Sequence, residues 1–140
     1  MRKQLFLVLL MFISSFTFAN YHDGMNSYNR GDYKSAFNEW LPLARNGNAK
    51  AQTEIAAMYG NGDYVKEDWS KAAYWYQKAA DQEEPRAQVN LGLMYLGGMG
   101  VNKSNLKASY LINEAIKSGH PQVRQMKGLL TNLGFEFWKN

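Results

Sequence analysis

The chain repeats itself at an interval of 36 residues, and this periodicity restricts its fold more than any other feature. The segment that begins with Ala51-Gln52 starts again at Ala87-Gln88, and Met58-Tyr59 is matched by Met94-Tyr95. A repeat of about 20–50 residues is typical of solenoids and related arrays, because one unit cannot bury its apolar face without its neighbours. The sequence therefore predicts stacked copies of one small structural unit.

Each unit contains two predicted helices and no strand pattern. Ala51, Ile55 and Met58 lie on one helical face, and Ala72, Trp75 and Ala79 show the same spacing in the second half of the unit. We predict helices at 21–30, 33–46, 49–60, 69–82, 85–97, 105–118 and 121–133. The predicted fold class is all-α, a right-handed α-solenoid of stacked helix hairpins.

Residues at the predicted helix starts agree with these boundaries. Asp32, Asp68 and Ser104 stand where a short polar side chain accepts a hydrogen bond from a free backbone N–H group. Pro85 and Pro121 fall in a first helical turn, where the missing N–H has no cost. The sequence thus marks the beginning of five of the seven helices.

Small residues recur at one position in the middle of the first helix of successive units: Ala56, Gly92 and Gly128. Glycine inside a helix costs about 1 kcal/mol, so a compensating contact is expected. We predict that the paired helix approaches closely at all three positions. The first unit is the tighter hairpin, because its helices are joined by four fewer residues.

The first nineteen residues differ from the rest and predict export. Arg2 and Lys3 precede an apolar run from 5 to 13, and Thr17-Phe18-Ala19 is an acceptable cleavage site for a secretory signal peptide. An uncleaved N-terminal anchor is the alternative. We expect a periplasmic or secreted protein with no stable membrane span after cleavage. Residues 20–140 would form one domain, with repeats at 21–48, 49–84 and 85–120, a half-repeat at 121–134 and a tail at 135–140.

Composition excludes several classes of site. The chain has no cysteine, which rules out thiolate metal sites and cysteine nucleophiles. Its net charge of +4 is scattered without a basic run, so no nucleic-acid partner is expected. Neither His22 nor His120 belongs to a cluster with metal-ligand spacing. We predict no metal, no cofactor and no catalytic residues.

The repeat resembles the Sel1-like family, a relative of the tetratricopeptide repeats. One copy matches the family pattern through Ala51, Ile55, Ala56, Tyr59, Gly62, Val65, Asp68, Lys71, Ala72, Trp75, Tyr76, Lys78, Ala79 and Ala80. The next copy matches through Ala87, Leu91, Gly92, Tyr95, Gly98, Gly100, Val101, Lys107, Ala108 and Ala115, and departs from the pattern at Leu111 and Ile112. The resemblance implies an α-solenoid scaffold that usually lacks catalysis, with envelope or host-interaction roles in exported bacterial members.

Stacked hairpins form a curved surface, and the first helix of each pair should line its concave side. We predict a groove that binds a protein or peptide through Met25, Tyr28, Lys50, Thr53, Ala57, Arg86, Val89, Leu93, Gln122, Gln125 and Leu129. Lys50 and Arg86 occupy the same position in adjacent copies. Two stacked cations there would hold a carboxylate or an acidic peptide segment.

Two other functions stay open at this point. Ser104 and Lys107 fit the S-x-x-K pattern of penicillin-recognising enzymes, which would make the protein a hydrolase of β-lactam or peptidoglycan amides. However, the chain has no K-T-G or S-D-N partner motif, and both residues stand at repeat positions. A structural assembly subunit that uses its open solenoid ends is the other alternative.

Aromatic residues allow two further predictions. At helical spacing and in repeated register, one set is expected in the core rather than on a ligand platform: Trp40, Tyr59, Trp69, Trp75, Tyr76 and Tyr95. The tail carries Phe135, Phe137 and Trp138. It would either fold back over the open end of the solenoid or dock on another molecule.

Overall fold

A computed structural model of the chain describes residues 20–132 and residue 134. It contains seven helices over this range: α1 (Tyr21–Asn29), α2 (Tyr33–Arg45), α3 (Ala49–Asn61), α4 (Trp69–Ala80), α5 (Pro85–Gly97), α6 (Asn105–Lys117) and α7 (Pro121–Asn132). The all-α solenoid is confirmed, and each predicted helix end lies within two residues of the observed one. The predicted signal peptide at 1–19 and the tail at 135–140 lie outside the described residues.

The helices form three hairpins, α1–α2, α3–α4 and α5–α6, followed by α7. We call α1, α3, α5 and α7 the first helices, and α2, α4 and α6 the second helices. Polar contacts join α1 to α3 and α3 to α5 directly, so the first helices lie side by side along one side of the stack. The second helices occupy the other side.

The predicted N-caps are confirmed. The side chains of Asp32, Asp68 and Ser104 accept hydrogen bonds from backbone N–H groups three residues later, at 3.1, 2.9 and 3.3 Å. Pro85 and Pro121 are the first residues of α5 and α7. The helix boundaries are thus set locally, before any packing between hairpins is considered.

Close approach of the paired helix explains the small residue in α5 but not the one in α7. A Cβ added to Gly92 would lie 2.8 Å from Cγ1 of Ile112 on α6. Ala56 is fully buried in the same register, whereas an added Cβ at Gly128 would meet nothing within 4 Å. The prediction is wrong for Gly128, because no second helix follows α7 among the described residues.

The loops inside the second and third hairpins each lie against the preceding second helix. Gly100 adopts a φ of 66°, and an added Cβ would overlap the backbone of Trp69 and lie 2.7 Å from the Ser70 nitrogen. Tyr64 occupies the same position one repeat earlier with a φ of 65°, and its ring centroid lies 5.6 Å from that of Phe37 on α2. These loops therefore provide packing contacts between one hairpin and the hairpin before it.

Most of the aromatic set predicted for the core is at least half-buried. Trp40 is 1% exposed and Tyr76 is 7% exposed, while Tyr59, Trp75 and Tyr95 pack against the core from its edges. Trp69 is the exception, at 37% exposed, because it begins α4 beside the loop. Among the described residues, no helix is both long enough and apolar enough to cross a membrane.

Candidate binding surface on the first helices

A polar network on the first helices ties three of them together. The Tyr21 hydroxyl donates to Oε1 of Glu54 at 2.8 Å, and Nη1 of Arg86 donates to the same oxygen at 2.7 Å. These residues belong to α1, α3 and α5. Glu54 is 8% exposed, so its charge needs these partners. We call Tyr21, Glu54 and Arg86 the carboxylate clamp.

The charges in the clamp stabilise one protonation state. Burial raises the pKa of Tyr21, and the Glu54 carboxylate raises it further. Burial acts to lower the pKa of Arg86, but Glu54 more than offsets this, so the pKa of the guanidinium is raised. Burial, together with the nearby Glu54, also raises the pKa of Tyr76 to about 12. The phenols therefore stay neutral and the Arg86 guanidinium stays charged at neutral pH.

The two cations predicted to act together have different surroundings. Arg86 is engaged with Glu54, and its side chain is 39% exposed. Lys50 is exposed and forms no ion pair with any described residue. A bound carboxylate would therefore meet one unpaired ammonium group, that of Lys50, and one guanidinium whose charge is already balanced by Glu54. The two cations would not contribute equally.

A cavity of about 280 Å³ lies between α5 and α7, next to the clamp. Its lining consists of Arg86, Val89, Asn90, Gln122, Val123 and Met126. Ligand sites that enclose a drug-sized molecule generally range from about 300 to 1,000 Å³. A cavity of this size suits one inserted side chain. Two amides and a guanidinium surround an apolar floor, so a side chain with an apolar body and a polar end fits its chemistry.

The eleven predicted groove residues fall into three groups in the structure. Four are exposed: Lys50, Gln122, Gln125 and Leu129. Five are half-buried: Met25, Tyr28, Ala57, Arg86 and Leu93. Thr53 and Val89 are buried, with exposed fractions of 1% and 2%.

The expectation that Thr53 and Val89 lie on an open surface is therefore wrong. Neighbouring helices cover each first helix from both sides, which leaves a narrow exposed stripe. Thr53 turns its hydroxyl to the Ala49 carbonyl oxygen, to which it donates at 2.9 Å. Val89 packs with Ala115 and Val123, and it forms part of the floor of the cavity.

Sequence reasoning missed Glu54 and Asn90, although the repeat contains a signal for both. They occupy the same position in successive copies, as do Arg86 and Gln122. In the structure, Arg86 reaches the Glu54 of the preceding copy, and Gln122 and Asn90 line one cavity a step further along. A comparison of position 54 with position 86, rather than of 50 with 86, would have identified the pair.

Ser104 and Lys107 have structural roles that account for their motif. Ser104 Oγ accepts the backbone N–H of Lys107 as the cap of α6, and Nζ of Lys107 lies 5.0 Å from the centre of the Tyr95 ring. An activated serine needs a general base within hydrogen-bond reach of its oxygen. Here the serine oxygen is used by the helix, and the ammonium group faces an aromatic ring.

Each carboxylate in the acidic loop between α3 and α4 has a protein partner. Asp63 accepts from the Tyr28 hydroxyl at 2.9 Å, and Glu67 accepts from the indole N–H of Trp69 at 3.0 Å. Asp68 caps α4 and lies 3.5 Å from Nζ of Lys71. Within the part of the chain that the structure describes, no group of three or more His, Cys, Asp or Glu side chains has metal-binding geometry.

Solved structures of repeat proteins are similar to this chain. A Sel1 repeat protein from Oxalobacter formigenes has 36% identity and a TM-score of 0.71, and the match covers 82% of this chain and 47% of that one. The protective antigen c5321 of uropathogenic Escherichia coli, described as having an SLR fold, has 25% identity and a TM-score of 0.70, and the match covers 81% of this chain and 25% of that one.

A third similar structure is the cysteine-rich protein B of Helicobacter pylori, with 25% identity and a TM-score of 0.61. The match covers 66% of this chain and 70% of that protein. The chain thus spans about half the length of the Oxalobacter protein and a quarter of the Escherichia protein. No curated protein is significantly similar in sequence.

The profile of the Sel1 repeat matches residues 49–84 and 85–120, which are the boundaries that the 36-residue period predicts. Together these two copies make up more than half of the chain. The matched segments contain α3 to α6, and the clamp and the adjacent cavity both draw residues from them. The chain belongs to the Sel1 repeat family.

Proposed function

We propose that this protein is an exported, non-enzymatic scaffold that binds a protein or peptide partner of the cell envelope on its first-helix surface. The Sel1 repeat fold commonly mediates protein–protein interaction, and proteins with this fold are generally non-enzymatic. Export is supported by the sequence of residues 1–19, and periplasmic or secreted locations both fit it.

One observation carries the choice of surface. The carboxylate clamp holds α1, α3 and α5 in fixed relation, and the cavity between α5 and α7 opens beside it. Binding surfaces gain affinity when they are ordered before the partner arrives, because less conformational entropy is lost on binding. The first helices therefore offer a preformed surface with one side-chain pocket.

The partner expected on this surface is a segment with an apolar side chain and an acidic group. The apolar side chain would enter the cavity above Val89 and Val123, with its polar contacts to Asn90 and Gln122. The acidic group would meet Lys50, which has no carboxylate among the described residues. This arrangement retains the predicted acidic partner but assigns the two cations different roles.

Site-specific photo-crosslinking in living cells tests the proposal. A photoreactive phenylalanine analogue is placed at Gln122 or at Lys50 on the first-helix surface. Matched controls carry the analogue at Lys34 or Asn38, which are exposed on α2 on the other side of the stack. We expect one and the same envelope protein to be cross-linked from both groove positions and from neither control.

The cross-linked partner then allows a quantitative test. Lys50→Glu should weaken its binding by about tenfold, because the variant loses an exposed charge pair worth about 0.2–1 kcal/mol and replaces it with a repulsion of similar size. Helicity should stay unchanged, since Lys50 is exposed. Equal cross-linking from the α2 positions, or equal affinity of the Lys50→Glu variant, would exclude the first-helix surface.

A further inference from the structure

A second opening lies on the other side of the stack, between α4 and α6, and the proposed function does not use it. Its volume is about 590 Å³, and its lining is largely apolar: Gln77, Tyr95, Leu106, Lys107, Tyr110 and Leu111. We call it the outer cavity. Two second helices and the end of α5 form its walls.

The outer cavity exists because two of its lining residues are smaller or more polar than their counterparts one repeat earlier. Leu111 stands 36 residues after Trp75, whose indole packs against two core clusters. Gln77 stands 36 residues after Leu41, which packs against the core of the first hairpin. The indole and the leucine occupy space between the first and second hairpins, and the corresponding space between the second and third hairpins stays open.

The rim of the outer cavity is unusually apolar for a free surface. Leu106 is 81% exposed and Tyr110, one turn later on α6, is 64% exposed. The second repeat has Ser70 at the position of Leu106. Exposed apolar side chains that adjoin one another on a rim mark an interaction surface.

One charge at the rim also lacks the partner that its counterpart has. Nζ of Lys71 lies over the Tyr59 ring and 3.5 Å from the Asp68 carboxylate. Lys107 lies over the Tyr95 ring in the same way, but Ser104 replaces the aspartate. Among the described residues, Lys107 therefore has no carboxylate neighbour. The chemistry that completes this surface is aromatic and acidic.

We propose that the outer cavity is the docking site of the segment Phe135–Trp138 of this same chain. The segment reads Phe-Glu-Phe-Trp, so it supplies aromatic rings for the cavity and a carboxylate, that of Glu136, for Lys107. An aromatic side chain that docks in the cavity removes about 150–250 Å² of its surface from water, which favours docking.

The register of the repeat supports this placement. Gly134 has a φ of 83°, and it stands 36 residues after Gly98 and 72 after Gly62, which have φ values of 66° and 74°. All three are left-handed residues that follow a first helix. The segment after Gly134 thus occupies the sequence position of the loops that follow α3 and α5.

Those loops both lie on the preceding second helix. Gly100 lies against Trp69 and Ser70 at the start of α4, and the ring of Tyr64 lies against Phe37 on α2. Moving the first of these contacts forward by 36 residues brings Glu136 to Asn105 and Leu106 at the start of α6. Leu106 is the residue that forms the exposed rim of the outer cavity.

Limited proteolysis tests the docking directly. Chymotrypsin cleaves after Phe135 and Phe137, and the rate is followed by mass spectrometry of the intact protein. Leu106→Ser introduces the residue that the second repeat carries, at a side chain too exposed to affect folding. We expect cleavage about tenfold faster in this variant, because removing a buried leucine contact raises the open population by about that factor.

Leu129→Ser is the matched control. Leu129 is also an exposed leucine, 64% exposed, but it belongs to α7 and does not line the outer cavity. The tail of the Leu129→Ser variant should be cleaved at a rate within about twofold of that of the unaltered protein. This is the scatter expected for a surface change that leaves the docked state intact. If the unaltered protein is cleaved as fast as a free peptide of residues 133–140, the tail is not docked and the proposal fails.

Disulfide trapping distinguishes the occupants. The chain has no cysteine, so Asn105→Cys with Glu136→Cys creates a single thiol pair. We expect a cross-link within one molecule at low protein concentration. Lys117→Cys with Glu136→Cys is the control, because Lys117 is closer in sequence but lies roughly 18 Å further along α6.

Each other result contradicts the proposal. Disulfide-linked dimers would assign the site to the tail of a second copy. Equal cross-linking of both pairs would indicate a mobile tail, and no cross-linking of either pair would show that the tail lies elsewhere. In the last case, the outer cavity is left to a separate partner with aromatic and acidic side chains.

Discussion

The second repeat (49–84) and the third (85–120) have the same backbone but different surfaces. Both end their first helix at a left-handed glycine, and both place a lysine over a tyrosine ring, at 5.3 and 5.0 Å. They differ at positions whose side chains face a neighbouring hairpin or the solvent. The second repeat contributes Glu54 and Asp68, and the third contributes the uncharged Asn90 and Ser104 at the same positions.

This difference shows which positions form the hairpin and which are available for recognition. Residues that pair the two helices or turn the chain keep their size or their backbone conformation. Residues that face the next hairpin or the solvent change charge and volume, so each step of the stack has its own contacts. At the positions of Glu54 and Asp68, the second repeat has carboxylates, each of which takes part in an ion pair, whereas the third has an amide and a hydroxyl.

The largest effect should come from the helix pairing that Gly92 permits. Gly92→Leu forces a side chain into Ile112 on α6, and overpacking of this kind typically costs about 1–3 kcal/mol. Gly128→Leu is the control in the same register, where an added Cβ meets nothing within 4 Å. Urea unfolding should show a lower midpoint for Gly92→Leu and an unchanged or higher one for Gly128→Leu. Equal losses would contradict the difference between α5 and α7.

The clamp should give the next largest effect. Arg86→Met leaves the buried Glu54 carboxylate without its cation, and we expect a loss of about 2 kcal/mol of unfolding free energy. Gln122→Met changes the same position one repeat later and should cost less than about 0.5 kcal/mol, because Gln122 is exposed. Similar losses in both variants would mean that the Glu54–Arg86 pair contributes nothing specific.

The turn that closes the second repeat should be improved by a glycine. Glu83 has a φ of 61°, at the position where the first and third repeats have Gly47 and Gly119 with φ values of 95° and 70°. Glu83→Gly should stabilise the protein by about 1 kcal/mol, since a left-handed residue with a Cβ costs about 1–2 kcal/mol and glycine gains entropy when unfolded. Gln82→Gly should not. Calorimetric melting temperatures separate the two.

The smallest effect concerns the charged cap of α4. The backbone N–H of Lys71 lowers the pKa of the Asp68 carboxyl, so ionised Asp68 stabilises the folded chain at pH values above its unfolded pKa of about 3.9. This contribution is lost as the pH falls through the lower folded pKa. Asp68→Ser, the residue of the third repeat, should lower the melting temperature slightly at pH 7 and not at about pH 2. A difference that persists in acid would exclude this explanation.

Much of the fold could be predicted because it is encoded locally. The caps Asp32, Asp68 and Ser104, the first-turn prolines and the 36-residue period set helix ends within two residues of those observed. None of these signals depends on knowing which residues meet across the stack. The family profile matches residues 49–84 and 85–120, which are the bounds that the 36-residue period indicates.

The candidate site was predicted less well, because its contacts join different positions of different repeats. Aligning copies compares Lys50 with Arg86, but the structure pairs Arg86 with Glu54. Helical spacing likewise placed Thr53 on an open surface, and the neighbouring hairpins bury it. Such contacts depend on the tilt between hairpins, which a sequence period does not specify. The prediction of a partner-binding groove stays a prediction.

The clamp also fixes the spacing of the first helices before any partner binds. One oxygen of Glu54 receives hydrogen bonds from helices on both of its sides, so a single acidic side chain holds the spacing of three helices. If the proposed partner binds this surface, it meets three helices whose spacing is already fixed by these hydrogen bonds.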